Sequence, residues 1–122
     1  MYKQLLKKIN SHKASVGIIG LGYVGLPLAV ELAKKNFSVT GFEIDVKKTN
    51  SIKNGRSYIG DIKSEEIEKL VRNKKLFATT DFIGLADMDV IIICVPTPLR
   101  KSKDPDVSYI ISAAEKIKQT LR

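Results

Sequence analysis

The run Val16-Gly17-Ile18-Ile19-Gly20-Leu21-Gly22-Tyr23-Val24-Gly25-Leu26-Pro27 decides the fold. Its first four residues form a compact apolar run of strand length, read as a buried strand that ends at Gly20. From Leu26 to Lys35 the pattern is helical, and Pro27 is tolerated because it falls in the first turn, where the backbone N–H has no helical partner anyway. Gly20 to Gly25 is therefore G-x-G-x-x-G between a strand and a helix, the setting in which that spacing carries meaning. Gly20 permits the sharp turn out of the strand. Gly22, without a Cβ, lets the backbone approach a pyrophosphate. Gly25 lets the helix pack closely on the sheet. The free N–H groups and positive dipole end of the helix then face the phosphates. The competing reading is a glycine-rich turn with no ligand, which three glycines at a strand–helix junction make costly.

Working outward, Ser38–Phe42 is a second strand, and Asp45 is placed to cap a helix running to about Lys53, stopped by Asn54-Gly55. Residues 57–63 are a loop. Ser64, ahead of Glu66 and Ile67, reads as the start of a helix ending near Asn73. Leu76–Thr79 is a short strand, Phe82–Leu85 a helical turn, and Asp89–Val95 a buried strand. A loop rich in Pro, Lys and Ser spans Pro96–Pro105. The helix over Val107–Leu121 is expected to bury Ile110, Ile111, Ala114, Ile117 and Leu121. Strands alternating with helices predict an α/β, Rossmann-type, doubly wound parallel sheet, truncated, with helices on both faces. Residues 1–14 read as a basic, helical extension, with Tyr2, Leu5, Leu6 and Ile9 at helical spacing. Residues 15–122 read as one dinucleotide-binding domain, with no linker dividing it.

At 122 residues with 43% apolar and 28% charged residues, the chain has the composition of one globular domain, not of a disordered segment. No apolar run is long enough to span a bilayer, and no signal peptide is readable. The single cysteine, Cys94, excludes an internal disulfide and suits a reducing, cytoplasmic compartment; with one histidine, His12, no metal site is expected. The formal charge of +8 raises the question of nucleic acid. The lysines are dispersed, many fall late in helices, and no RNA-binding signature appears. A solvated basic surface is expected, with neither nucleic-acid nor membrane partners.

An acid that binds the adenosine ribose is expected roughly 20 residues beyond the glycines, at the end of the second strand. Glu43 stands there, and its charge would disfavour a 2′-phosphate, pointing to NAD over NADP. Asp45 is the competing acid, better read as the helix cap. Lys47 and Lys48, close behind, leave NADP open. The exit from the strand at Asp89–Val95, through Pro96, Thr97 and Pro98, lies near the reversal of strand order where such folds bind ligands, so Thr97 is expected to face the cofactor; a proline-stiffened loop is the plainer alternative.

These residues resemble the UDP-glucose/GDP-mannose dehydrogenase family. The matching segments, in order, are Gly20 to Ala29, then Gly41-Phe42-Glu43-Ile44-Asp45 with Lys48, then Ala78-Thr79-Thr80-Asp81, then Val95-Pro96-Thr97-Pro98, and the likeness runs from about Val16 to the end. Glu43 stands where the family commonly has Asp, and Thr49 where it commonly has an aliphatic residue. The resemblance implies NAD-dependent, four-electron oxidation of the C6 alcohol of a UDP-sugar to a carboxylate, consuming two NAD, within polysaccharide biosynthesis. By matching position it implies Gly20, Gly22, Tyr23, Val24 and Gly25 at the pyrophosphate, Glu43 at the adenosine ribose, Lys48 beside that pocket, and Pro96 and Thr97 on the dinucleotide side of the last strand.

The family's catalytic cysteine, lysine and polar residues come later than this sequence runs, so no catalytic residue is expected here. Cys94, inside a strand, is not expected to be the nucleophile. The substrate site is expected mostly outside this chain, and the full enzyme is expected to be a homo-oligomer. The Pro96-Thr97-Pro98-Leu99 and Pro105-Asp106-Val107-Ser108-Tyr109 stretches look more like the UDP-N-acetylhexosamine dehydrogenases, such as the UDP-N-acetylglucosamine 6-dehydrogenases, than the UDP-glucose enzymes. The expectation is therefore the NAD-binding part of a larger enzyme, inactive alone, with its Asp89–Val95 strand left at an open edge. The alternatives are a free-standing, non-catalytic dinucleotide-binding module, or another Rossmann dehydrogenase, which would not be expected to carry Val-Pro-Thr-Pro.

Overall fold

Side chains alternate in direction along the strands and sort the core onto two faces of one sheet. A computed structural model describes residues 2–95 and 107–120. Along the chain run α1 (Tyr2–Asn10), β1 (Ser15–Ile19), α2 (Gly25–Lys34), β2 (Ser38–Phe42), α3 (Val46–Lys53), α4 (Ser64–Arg72), β3 (Leu76–Thr79), a 3-10 helix (Phe82–Asp87), β4 (Val90–Ile93) and α5 (Ser108–Thr120). The four strands form a parallel sheet in the order β3-β2-β1-β4. The chain thus winds outward from β1 in one direction and returns to add β4 on its other side. That reversal puts a topological switch point between β1 and β4. The register sets Ile19 opposite both Phe42 and Ile93, so the loops leaving β1, β2 and β4 gather at one end of the sheet.

Val16, Ile18, Val39, Leu76 and Ala78 face one side, where Leu26, Ala29, Val30 and Ala33 of α2, Ile52 of α3, and Ile67 and Leu70 of α4 cover them. Ile19 and Phe42 face the other side, against Leu85 of the 3-10 helix and Ala113 of α5. Helices therefore cover both faces, the doubly wound arrangement that the alternating pattern predicts. The α1 helix is held at the opposite end of the sheet from the glycine turn. The Lys8 ammonium lies 3.2 Å from the Asp89 carboxylate, whose other oxygen accepts the Ser15 N–H at 2.9 Å. His12 stacks on Phe37 with ring centroids 4.7 Å apart, so the lone histidine serves packing. No helix among the described residues is long and apolar enough to cross a membrane.

Two readings of the sequence need correction. The strand expected at Asp89–Val95 is only Val90–Ile93, and none of its residues is fully buried, because β4 is the sheet edge and pairs with β1 alone among the described residues. Ser64 opens α4, as the sequence predicts. Lys63 takes the cap position without a side-chain bond, and the Ser64 hydroxyl accepts the Ser57 N–H at 2.9 Å. Second, α5 turns a different stripe inward. Ala113 is buried and Ile117 packs beside it, while Ile111 is 57% exposed and Ala114 is exposed. The small Ala113 lets the helix approach the cluster of Phe42 and Leu85, which rotates the Ile111/Ala114 side outward. Leu121, expected in that stripe, lies outside the described residues.

Candidate functional site

The glycine turn takes its shape from contacts that only glycine permits. Gly20 has φ +98°, a conformation that disfavours any side chain, and a Cβ there would come within 2.7 Å of the Cys94 carbonyl oxygen. At Gly25 an added Cβ would land on the carbonyl oxygen of Gly20, so the turn folds back on itself and α2 starts against it. Gly22 is different. A Cβ there would meet nothing within 4 Å. Gly25 thus spaces the turn from its own backbone rather than from the body of the sheet, while Gly22 faces open space.

Leu21, between two of these glycines, is held on every side. Its side chain is fully buried, resting over Gly41, where a Cβ would come within 2.5 Å of it. Its N–H donates to Oε1 of Glu43 at 2.9 Å, and its carbonyl accepts the Tyr58 hydroxyl at 2.5 Å. Glu43, only 8% exposed, is also bonded through Oε2 to the Asp45 N–H at 2.9 Å. Asp45 does cap α3, accepting the Lys47 N–H at 2.9 Å, as its position in the sequence predicts. Burial pushes the Tyr58 phenol well above its ordinary value, and the nearby Glu43 and Asp45 carboxylates add to the rise. Tyr58 is therefore a fixed, neutral donor. The Lys48 ammonium lies 6.0 Å from the centre of its ring.

A cavity of about 590 Å³ opens beside this turn, at the carboxyl ends of β1, β2 and β4. Gly20, Gly22, Tyr23, Val24, Glu43 and Lys48 all line it, so the structure brings together six of the residues singled out in the sequence. Gly25 is buried directly behind them. Ile19, Phe42, Ile44 and Val95 give it an apolar wall, and Ser112, Ala113 and Lys116 of α5 close one side. Tyr23 and Val24 are 88% and 68% exposed at its mouth. Pro96 and Thr97, expected on the same side, lie outside the described residues.

The N–H groups of Gly22, Tyr23 and Val24 have no acceptor among the described residues, and the helix that follows adds its dipole. A turn with unpaired amides over open space, an acid at the end of the neighbouring strand, and a cavity of ligand size fit a dinucleotide. Burial pushes the thiol of the half-buried Cys94, which borders the cavity, up and so favours its protonated form.

Sequence reasoning missed Tyr58, Leu21 and Lys116. Gly41 carried a signal for Leu21, since a glycine inside a strand often marks a close approach. Tyr58 lay in a loop with no pattern of its own. Lys116 read as a solvated helical lysine, yet its ammonium sits 4.7 Å from the Phe82 ring centre at the cavity wall.

Comparison with known proteins agrees with this geometry. Residues 14–122 match the model of the UDP-glucose/GDP-mannose dehydrogenase family, NAD binding domain. The chain is 38% identical over 106 residues to a UDP-N-acetyl-D-glucosamine 6-dehydrogenase of Salmonella typhi, covering 86% of this chain and 24% of that protein. It is 40% identical over 110 residues to a UDP-N-acetyl-D-mannosamine dehydrogenase of Methanococcus maripaludis, covering 82% and 24%. Among solved structures, a ternary complex of a Pseudomonas aeruginosa GDP-mannose dehydrogenase superposes with a TM-score of 0.82 at 33% identity, covering 88% of this chain and 25% of that one. The chain spans about a quarter of the length of each of these proteins.

Proposed function

The chain belongs to the UDP-glucose/GDP-mannose dehydrogenase family, as its NAD-binding domain, and from that premise we propose that the cavity at the glycine turn holds NAD for the oxidation of a UDP-N-acetylhexosamine. The observation that carries this reading is that Gly22, Tyr23 and Val24, whose amides have no acceptor among the described residues, line the cavity together with Glu43 on the neighbouring strand end. These amides, together with the turn shaped by Gly20 and Gly25, would hold the pyrophosphate. Glu43 keeps acceptor capacity on both oxygens after its two backbone bonds, enough for ribose hydroxyls, and its negative charge opposes a 2′-phosphate. Lys48 walls the ribose end. Pro96 and Thr97 are assigned to the dinucleotide side by their place after β4.

NAD supplies the hydride acceptor, and two equivalents balance the oxidation of a C6 alcohol to a carboxylate. In the reaction we propose for the whole protein, the substrate gives up four electrons and takes one oxygen from water. No residue at this cavity is assigned as the nucleophile or acid–base group for that chemistry. Cys94, half-buried at the cavity with its thiol pushed up by burial, takes neither role. The N-acetylhexosamine assignment follows the names of the relatives above and the Pro96–Leu99 stretch; UDP-glucose is the competing sugar. We place the whole protein in a reducing cytoplasmic compartment, in polysaccharide biosynthesis, as a homo-oligomer.

The test is calorimetry of the 122-residue chain with NAD and NADP, paired with an assay for NADH formed from UDP-N-acetylglucosamine, UDP-N-acetylmannosamine and UDP-glucose. Weak NAD binding, weaker NADP binding and no turnover are expected. Measurable turnover would show that the reacting groups have been misplaced, and absence of NAD binding would remove the cavity from this role.

A further inference from the structure

We propose that Tyr58 is a positioning residue for the phosphate-binding amide of Gly22, acting through the peptide bond that joins Leu21 to Gly22. The inference rests on the assignment of NAD to the cavity.

The Leu21 carbonyl and the Gly22 N–H belong to one planar trans peptide unit, so they point in opposite directions. Whatever fixes the carbonyl also aims the amide. The Tyr58 hydroxyl donates to that carbonyl at 2.5 Å, across 37 residues of chain. The Gly22 amide has no acceptor among the described residues, and its residue lines the cavity.

The other restraints on Leu21 do not replace this one. Glu43 holds the Leu21 N–H, and Gly41 seats the Leu21 side chain. Both fix the peptide before Leu21 and the direction of its Cβ. Neither fixes ψ of Leu21, the dihedral that swings the next peptide plane. Gly22 comes immediately afterwards and has the widest backbone freedom of any residue, so the loop does not hold that plane by itself. The Tyr58 bond is what restrains it.

Tyr58 is well placed to do so. Its ring packs against the core formed by α2, α3 and α4. Its loop is tied by the Ser57 N–H donating to Ser64 and by the Ser57 hydroxyl donating to the Ile59 carbonyl at 2.8 Å, with Ile59 and Ile62 buried just after it. Burial pushes the phenol well above its ordinary value, so it stays a donor around neutral pH. Tyr58→Phe keeps the ring and its packing and removes only the bond.

The experiment compares the wild-type chain with Tyr58→Phe by calorimetry against NAD and against adenosine, and by ¹⁵N relaxation at the Gly22 amide. NAD affinity is expected to fall by roughly tenfold, the loss of one directed hydrogen bond, while adenosine affinity changes by less than about twofold because it carries no phosphate. The Gly22 order parameter is expected to fall from the rigid range near 0.85 toward the mobile range below about 0.6. Equal losses for NAD and adenosine would make Tyr58 a general support of the fold and overturn the proposal. So would an unchanged NAD affinity or an unchanged Gly22 order parameter. If the wild-type chain did not bind NAD, the assignment of NAD to the cavity would fall, while the Gly22 relaxation comparison would still decide whether Tyr58 holds the peptide.

Discussion

Glu43 and Leu21 are joined across the end of the sheet: the Glu43 carboxylate accepts the Leu21 N–H at 2.9 Å, so the acid that ends β2 is part of the turn that leaves β1. Its second oxygen accepts the Asp45 N–H, which brings the start of α3 into the same bond set. One buried side chain thus braces two loops that also wall the cavity.

Replacing Glu43 with Ala should therefore cost stability as well as cofactor. Two backbone N–H groups lose their acceptor at a largely buried place, for a destabilisation of about 1–3 kcal/mol. NAD affinity should fall in parallel. Urea unfolding and calorimetry measure the two effects, and a variant with the wild-type urea midpoint would show that the Glu43 bonds carry no structural weight.

The three glycines of the turn should separate by experiment. Gly22→Val adds its side chain where nothing lies within 4 Å, so the folded chain should persist with a thermal midpoint close to wild type while NAD binding is lost. Gly25→Ala puts a methyl group on the Gly20 carbonyl and should destabilise by about 3 kcal/mol or fail to fold, since backbone atoms cannot step aside as a side chain would. Unchanged NAD affinity in Gly22→Val would refute the placement of the pyrophosphate.

Tyr58 should resist ionisation while the chain is folded. Its phenol is held above its ordinary value of 10.0 by burial and by Glu43 and Asp45. Above pH 10 the unfolded chain loses the Tyr58 proton while the folded chain retains it. Stability from this group is thus complete below pH 10 and declines as pH rises beyond it. Absorbance of tyrosinate should show a fraction that ionises only on unfolding, and Tyr58→Phe should remove that fraction. A single smooth titration with all tyrosines near pH 10 would contradict the burial of this hydroxyl.

The open side of β4 should make the chain self-associate. β4 pairs with β1 alone among the described residues, and Ile93 is 39% exposed on it. Unpaired strand edges recruit other strands, and a charge on the edge suppresses this. Light scattering should detect dimers or larger species at high concentration, and Ile93→Lys should reduce them. A clean wild-type monomer at high concentration would count against this.

Much of the fold was legible because its decisive elements are locally determined. The β1–turn–α2 unit announced itself through Gly20, Gly22 and Gly25, and β2 came out residue for residue, because short apolar runs bounded by glycine, proline and charge leave few alternatives. The Asp45 cap was readable for the same reason. What escaped depended on partners far away in sequence. The orientation of α5 followed from the small size of Ala113 opposite Phe42 and Leu85, which no helical periodicity contains. At the site, Glu43 was found by its distance from the glycines, yet its bond to Leu21 and the reach of Tyr58 to the same residue are tertiary facts. No spacing in the sequence encodes them.

The contact between Gly25 and the Gly20 carbonyl has a consequence for how such turns decay. A descendant of this chain released from any need for a dinucleotide would still require both outer glycines to fold. Only the middle one would be free to drift. A glycine pattern worn at its centre and intact at its ends would then mark a domain that had given up its ligand and kept its architecture.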